Sequence, residues 1–132
     1  KDDLGTVQAK AKLIAEAKTP IPGLAISIMR NAVRETRSSV LAAQTADSLI
    51  TVDGIAVGVA IVEYKDGYLG ISARSDGSVN VQVIMEELGG GGHQTVAGVQ
   101  IANKRAKDVE PQIIALAKKQ LEERDNNESN SS

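Results

Sequence analysis

The chain is short of residues on which many functions depend. It contains no cysteine, no tryptophan and no phenylalanine, and its aromatic residues are two tyrosines, Tyr64 and Tyr68. The lack of thiols excludes disulfides and thiolate chemistry, and it leaves the cellular compartment open. With so few aromatic rings, a base-stacking surface would have to use a tyrosine, an arginine plane or an apolar patch.

Long apolar runs and a strong net charge are also missing. No stretch approaches the roughly 18 consecutive apolar residues of a transmembrane helix, so we expect no membrane-spanning segment in this chain. The formal net charge of -2 provides no global basic field for non-specific binding of nucleic acid. The sequence shows neither a signal peptide nor an initiating methionine, and we expect an excised C-terminal piece of a longer protein.

Metal ligands and acid–base groups are scarce. The only histidine is His93, and its nearest acidic neighbours in the sequence are Asp76, Glu86 and Glu87. A catalytic metal site requires several converging histidine or carboxylate ligands, and no acid pair or Ser-His-Asp spacing stands out. We therefore predict that this chain by itself holds no catalytic residue and no metal ion.

What is present fits one domain. The 132 residues, 42% of them hydrophobic, can bury a sizeable core. Apolar periodicity predicts helices over residues 2–18, 38–50, 81–88 and 109–124, and strands over 23–29, 55–64, 68–74 and 95–101, with a hairpin turn at Asp66-Gly67. We predict an α/β (α+β) fold with a mixed β-sheet of about five strands flanked by helices.

Three segments lie at the margins of these elements. Residues 30–37 carry three arginines and are predicted to be a solvated loop or the start of a helix, with a rim of phosphate-steering charge as the alternative. Residues 125–132 are polar and lack apolar anchors, which predicts a disordered tail. The N-terminal helix ends before Pro20 and Pro22 and is predicted to be a connector packed onto the domain.

Four consecutive glycines, Gly89 to Gly92, stand directly before His93. Glycine weakens regular structure, so such a run indicates a backbone that adopts positive φ or approaches another group closely. Bare amides, with side-chain donors from His93 and from the segment Ser72-Ala73-Arg74-Ser75, suggest an anion site, most simply for phosphate. In the predicted strand, Ser72 and Arg74 share one face.

Each of these residues also has a purely structural explanation. The glycines could do no more than end the preceding helix, and Asn80 could be only the cap that starts it. His93 could be a structural histidine. Arg74 could be a surface partner of Asp66 or Asp76, in an ion pair that contributes little to stability.

The common phosphate-binding loops do not match the glycine run. No Lys-Ser or Lys-Thr pair follows the glycines, as a P-loop requires. A dinucleotide fingerprint opens a helix, but this run follows a predicted helix, and Thr95 stands where the third glycine belongs. The run alone is therefore a weak indication of phosphate binding.

The combination of motifs is more specific than any one of them. The segments Ile71-Ser72-Ala73-Arg74-Ser75, Gly89-Gly90-Gly91-Gly92-His93 and Ala97-Gly98 together resemble the DHH-associated C-terminal domain of the DHH phosphoesterases. This superfamily includes RecJ-type exonucleases, nanoRNases and cyclic-di-AMP phosphodiesterases. The resemblance covers roughly residues 20–102, and residues 42–49 and 79–88 look most like the GdpP (YybT) branch, the cyclic-di-AMP phosphodiesterases. Thr95 departs from the family, which often has asparagine at this position.

The resemblance implies a division of labour within a longer protein. Residues 1–19 would link this domain to a missing DHH domain, and residues 20–124 would form the substrate-binding lobe. The DHH domain would hold the catalytic Mn²⁺ ions, and this lobe would bind a cyclic dinucleotide or a short oligonucleotide. The bacterial parent would hydrolyse cyclic-di-AMP to the linear dinucleotide, on the cytoplasmic face of the cell membrane in which it is anchored. A homodimer is left open.

The resemblance also implies the binding residues. Arg74 would bind phosphate as a forked donor, the amides of Gly90 to Gly92 would contact phosphate or base edges, and His93 would donate to a phosphate oxygen. The full set of expected substrate-binding residues is Ser72, Arg74, Ser75, Asn80, Gly89, Gly90, Gly91, Gly92, His93 and Thr95. Two alternatives remain: an oligonucleotide-binding lobe of a RecJ-like or nanoRNase exonuclease, and a non-enzymatic nucleotide-binding module.

Overall fold

The fold is a mixed six-stranded sheet with helices on both faces, in a computed structural model that describes residues 2–130. The helices are α1 (Leu4–Ala15), α2 (Thr36–Leu49), α3 (Val81–Glu87) and α4 (Ala106–Asn130). The strands are β1 (Lys18–Ile21), β2 (Leu24–Ala32), β3 (Val57–Tyr64), β4 (Tyr68–Ser75), β5 (Gly91–Gly92) and β6 (Val96–Ala102). The predicted α/β class is confirmed.

The strand order is β1-β2-β3-β4-β6-β5. Strands β2 and β3 are parallel and are joined by α2, as parallel neighbours require a crossover; the other pairs are antiparallel. All eight residues of β3 are buried, which explains its continuous apolar sequence. Strand β4 instead alternates between buried and more exposed residues.

The helices cover the two faces of the sheet unequally. Helices α3 and α4 pack on one face over the main core, in which Leu69, Ile84 and Ile113 are almost completely buried. On the other face, α2 packs a smaller cluster of alanines against Ala60, Val62 and Tyr64 of β3. Helix α2 therefore lies over the β2–β3 half, and the β4–β6–β5 half of this face is left open along much of its width.

The sheet has two edge strands beyond those predicted. Strand β1 contains Pro20, and proline is tolerated in an edge strand because its missing N–H need not serve a neighbour. Strand β5 is only Gly91–Gly92, which carries no apolar alternation. The sequence pattern therefore could not reveal either strand.

The N-terminal helix is shorter than predicted and buries a different side. It ends at Ala15, and Asp3 caps it by accepting a hydrogen bond from the amide of Thr6 at 2.7 Å. The helical spacing of Leu4 and Val7 predicts that both face the domain, but their side chains are 70% and 46% exposed. The buried residue is Leu13, whose carbonyl accepts a 2.6 Å hydrogen bond from Ser27 of β2.

Residues 30–32 belong to a strand, so the prediction of a loop or helix start is wrong for them. Strand β2 continues to Ala32 through an irregular pairing in which Asn31 has a φ of 54°. The polar residues remain in the strand because Arg30 forms a 2.9 Å ion pair with Glu63 on neighbouring β3. Helix α2 then begins at Thr36, two residues before the predicted cap, and Ser38 donates its hydroxyl to the carbonyl of Val33.

The last helix is longer than predicted at both ends. It begins at Ala106 and runs to Asn130, so residues 125–130 are helical where the sequence predicts a disordered tail. No proline or glycine interrupts this polar stretch after Leu121, so nothing in it stops a helix already anchored by the core. Residues 131–132 lie outside the described residues. None of the helices described in residues 2–130 is both long and apolar enough to cross a membrane.

One buried carboxylate ties three elements together. Glu63 of β3 accepts hydrogen bonds from Arg30 of β2 at 2.9 Å, from Arg105 at 3.2 Å and from the amide of Ala106, the first residue of α4, at 2.8 Å. Burial would raise the pKa of Glu63, but these donors outweigh it and lower the pKa from 4.5 to about 2. The folded protein therefore favours the ionised form more than the unfolded chain does.

We expect Glu63→Gln to reduce stability at neutral pH by about 3 kcal/mol, the free-energy equivalent of this pKa shift. Because the folded pKa is depressed, the contribution is present above pH 4.5 and is lost as the pH falls from 4.5 towards 2. Denaturant unfolding of both proteins should therefore show a large difference at pH 7 that falls to less than half by about pH 3 and mostly disappears by about pH 2. The exposed Glu86→Gln should change stability little at any pH, and an equal effect of the two substitutions would contradict this account.

Candidate functional site

The first half of the glycine run ends helix α3. Gly89 has a φ of +93° and donates its amide to Glu86 at 3.0 Å, and Gly90 donates its amide to Met85 at 2.8 Å. These two bonds form a Schellman motif after the C-cap Leu88. The helix-ending explanation is therefore correct for Gly89 and Gly90. The expectation that the Gly90 amide contacts a ligand is corrected, because that N–H is already bonded.

The second half of the run is edge strand β5. Gly91 pairs with Gly98 and Gly92 pairs with Ala97 of β6, and the amide of His93 donates to Val96 at 2.7 Å. Antiparallel pairs alternate between hydrogen-bonded and non-bonded positions. The bond from His93 therefore places the N–H of Gly91 towards β6 and the N–H of Gly92 towards the open edge of the sheet.

The glycines differ in how much space surrounds them. A Cβ at Gly90 would overlap the carbonyl oxygen of Gly98, and a Cβ at Gly92 would lie 2.6 Å from the Cα of Ala97. A Cβ at Gly91 would meet nothing within 4 Å. Close backbone approach thus requires glycine at positions 90 and 92, whereas Gly91 faces open space.

Gly91 belongs to a row of small residues across the open face of the sheet. Cross-strand pairing aligns Gly91 with Gly98, and Gly98 with Ser72. Directly paired residues point to the same face, so these three lie side by side. The neighbouring rows pair Arg74 with Val96 and Gly70 with Gln100. Ser72 and Arg74 share a face, as the alternation predicted.

Ser72, at the β4 end of this row, lines a groove beside helix α2, and Gly98 and Gly91 continue the same surface towards the edge of the sheet. The groove has a volume of about 320 Å³ and continues into an adjoining depression of about 390 Å³. Its lining includes side chains from α2, β3, β4 and β6, namely Ser39, Ala42, Val62, Tyr64, Gly70, Ile71, Ser72, Val99 and Gln100. Ser39, Tyr64 and Gln100 also line the adjoining depression. Small residues in the floor let a ligand approach the sheet closely.

Arg74 lies at the end of this face nearest Asp47 of α2. Its Nε donates to the Asp47 carboxylate at 2.8 Å, and one terminal nitrogen donates to the carbonyl of Ala73 at 3.0 Å. The predicted alternative partners are engaged elsewhere: Asp66 pairs with Arg34, and Asp76 accepts from Ser78. The Asp47 contact fixes the guanidinium plane, and Nη2 has no hydrogen-bond partner among residues 2–130, so it can donate to an anion.

The structure does not bring every expected residue to the groove. The buried hydroxyl of Ser75 donates to Val79 at 2.6 Å and accepts from the amide of Gly77 at 3.0 Å, so it holds a turn. Asn80 caps α3 by accepting from the amide of Val83 at 3.2 Å, and its backbone exchanges hydrogen bonds with Gln120 of α4. These residues serve the helix-covered side of the sheet, and the cap explanation of Asn80 is confirmed.

The remaining expected residues follow β5 at the sheet edge. His93 is exposed, and Thr95 is half-buried with its carbonyl accepting from the amide of Ser75 at 3.0 Å. The expected set therefore divides into three groups. Ser72, which lines the groove, shares the open face of the sheet with Arg74 and Gly91; Gly92, His93 and Thr95 form an edge group; and Ser75, Asn80, Gly89 and Gly90 form a structural group.

Sequence reasoning missed Tyr64, Gly70 and Gln100, which line the groove. A glycine inside a strand was the available signal for Gly70, because such a residue often marks close approach. Here the ring of Tyr64 lies over it, 3.1 Å from the position of a Cβ. Burial raises the pKa of Tyr64, so its phenol is neutral at pH 7 and carries a hydroxyl donor.

No group of three or more histidine, cysteine, aspartate or glutamate side chains is placed to hold a metal ion within residues 2–130. Two carboxylates near the groove are paired with arginines, Asp47 with Arg74 and Asp66 with Arg34, and the side chain of Glu35 lines the adjoining depression. The donors that line the groove and the depression are hydroxyls, the amide of Gln100 and the guanidinium of Arg34. This chemistry suits a phosphate or a nucleobase better than a cation.

Comparisons with known proteins agree with this geometry. The DHHA1 domain model matches residues 24–123. Cyclic-di-AMP phosphodiesterase GdpP of Geobacillus thermodenitrificans is 46% identical over 104 residues, which are 79% of this chain and 16% of that protein. Cyclic-di-AMP phosphodiesterase PdeA of Listeria monocytogenes is 36% identical over 115 residues, which are 87% of this chain and 17% of that protein.

A solved structure shows the same fold at low sequence identity. An exopolyphosphatase-related protein from Bacteroides fragilis superposes with a TM-score of 0.74 at 13% identity, over 90% of this chain and 36% of that chain. The GdpP and PdeA relatives are much longer than this chain, which spans only 16% and 17% of their lengths. Because the family model matches most of the chain, from the first residue of β2 into α4, the chain belongs to the DHHA1 domain family.

Proposed function

We propose that this chain is the substrate-binding lobe of a phosphodiesterase that hydrolyses cyclic-di-AMP to the linear dinucleotide. The observation that carries the proposal is the open groove with Gly70 and Ser72 in its floor, together with Arg74, which Asp47 orients on the same face of β4 two residues beyond Ser72. The two relatives named as cyclic-di-AMP phosphodiesterases support this choice of substrate. Gly91 and Ser72 allow the nucleotide to lie on the sheet, and Arg74 neutralises phosphate charge.

The proposed chemistry is divided between two lobes. The residues described in this chain do not form a manganese site, so the metal would be held by another part of the full-length protein. The DHH domain of the full-length protein, meaning the longer chain that carries this domain, would supply the Mn²⁺ and the attacking water. This lobe would contribute orientation and electrostatic stabilisation.

The edge group has a supporting part in this proposal. The outward N–H of Gly92 and the exposed imidazole of His93 lie together at the edge of the sheet, where they would meet a phosphate held between the lobes. We further propose that the full-length protein is anchored in the cell membrane by segments outside this chain, with this domain on the cytoplasmic face.

Substrate competition tests the proposal. The full-length protein should hydrolyse cyclic-di-AMP with a higher kcat/KM than a short single-stranded RNA. Within residues 2–130, Arg34 is the one cationic side chain that lines the groove and its adjoining depression, and Arg74 lies beyond Ser72 on the same face, so no long basic track for a strand is present, which supports this expectation. A preference for the RNA would instead support an exonuclease, and binding without turnover of either would support a non-enzymatic module.

A further inference from the structure

The groove has a second polar end that the proposed phosphate site does not use. Arg34, in the segment between β2 and α2, places its guanidinium carbon 4.1 Å from the ring centroid of Tyr68. Its Nε pairs with the carboxylate of Asp66 at 2.7 Å, and the same carboxylate accepts from the amide of Tyr68 at 3.2 Å. Two contacts therefore hold the guanidinium in a fixed plane.

This end lies well apart from Arg74. Tyr68 and Arg74 occupy the same face of β4, six residues apart, which corresponds to about 20 Å along a strand. Gly70 and Ser72 separate them in the groove floor. A ligand that contacts both ends must therefore be extended, with chemically different groups at each end.

The groups that line this end suit a nucleobase. The adjoining depression is lined by polar and aromatic side chains, namely Arg34, Glu35, Thr36, Ser39, Tyr64 and Gln100. Arginine planes stack on bases, and the side chain of Arg34 is 42% exposed, so one of its faces is open while Tyr68 lies against the other. The carboxamide of Gln100 has no hydrogen-bond partner within residues 2–130 and is exposed above the floor.

We propose that the Arg34–Tyr68 end of the groove is a nucleobase pocket and that Gln100 makes it selective for adenine. The base stacks on the guanidinium of Arg34. The Gln100 carboxamide accepts from the N6 amino group of adenine and donates to N7, whereas guanine presents two acceptors, O6 and N7, at the same edge. The inference rests on the proposed function, because it assigns the base of the same cyclic dinucleotide whose phosphate lies towards Arg74.

The test compares cyclic-di-AMP with cyclic-di-GMP as substrates of the full-length protein. We expect Gln100→Ala to reduce the ratio of the two kcat/KM values roughly tenfold, the effect of losing one bidentate base contact. Gln100→Arg should move the preference towards cyclic-di-GMP, because arginine donates to both guanine acceptors. Arg34→Ala should raise KM for cyclic-di-AMP about tenfold with little change in kcat, as loss of one stacking contact does.

Arg37→Ala is the matched control, because Arg37 contacts Asp3 of the α1 cap at 3.5 Å and does not line the groove. It should leave KM and the substrate ratio unchanged. If the wild-type protein hydrolyses cyclic-di-AMP but all three groove variants keep its KM and substrate ratio, the nucleobase pocket is wrong and the proposed function stands. If the wild-type protein does not hydrolyse cyclic-di-AMP, the proposed function fails and this inference fails with it.

Discussion

Replacing Arg74 by alanine is expected to lower kcat/KM of the full-length protein for cyclic-di-AMP by about 2–4 kcal/mol of transition-state stabilisation, as loss of one preorganised electrostatic donor does. The guanidinium is held by Asp47 at 2.8 Å and by the carbonyl of Ala73 at 3.0 Å, so it is oriented before the ligand arrives. Steady-state kinetics measure the effect. Arg74→Lys should recover only part of the rate, because a lysine cannot reproduce the planar fork.

The fold should survive this substitution. The Arg74–Asp47 pair joins β4 to α2; the Asp47 side chain is 61% exposed, whereas that of Arg74 is only 13% exposed. Because Arg74→Ala removes buried packing as well as an ion pair, a loss of roughly 1–2 kcal/mol of unfolding free energy is expected. A wild-type rate with Arg74→Ala would remove this residue from the substrate site. Asp47→Asn should give a smaller loss of rate, because it loosens the orientation of Arg74 and leaves its charge.

The glycine run should respond in opposite ways at adjacent positions. Gly91→Val is expected to leave the fold intact, because a Cβ there meets nothing within 4 Å, and to lower kcat/KM about 100-fold by displacing a ligand that lies along the row of Ser72, Gly98 and Gly91. Gly90→Ala should instead destabilise the domain by roughly 1–3 kcal/mol, because its Cβ would overlap the carbonyl of Gly98. Denaturant unfolding and steady-state kinetics on both variants separate these effects.

The pair of variants provides its own control. Both add a side chain to the same run, so a general intolerance of substitution would affect them alike. Global unfolding by Gly91→Val would indicate that the run serves only to end α3. Full activity of a folded Gly91→Val protein would show that the Gly91 end of this row does not contact substrate.

Local signals made much of the fold predictable. The Asp66-Gly67 turn between two apolar runs correctly predicted the β3–β4 hairpin. Asn80, whose side chain caps the helix, marked the start of α3. These features depend on residues close together in the chain. Strand β1 escaped prediction because Pro20 argues against a strand except at an edge, and which strands are edges is decided by long-range pairing.

The candidate site was predictable only in part, for a related reason. Alternation along β4 predicted that Ser72 and Arg74 share one face of the sheet. Whether that face is covered depends on where α2 packs, and α2 packs mainly against β3. The same topology brings Gln100 of β6 beside Gly70 of β4 and so adds a residue with no motif of its own. Conversely, Ser75 follows Arg74 directly yet faces the core, because each step along a strand reverses the face.

The central claim is that this chain binds the dinucleotide but depends on another domain for hydrolysis. The most direct measurement is turnover of cyclic-di-AMP in the presence of Mn²⁺ by the full-length protein and by the 132-residue chain, side by side at equal concentration. We predict hydrolysis to the linear dinucleotide by the full-length protein and none by the isolated chain. Clear turnover by the isolated chain would contradict the division of the site between two lobes.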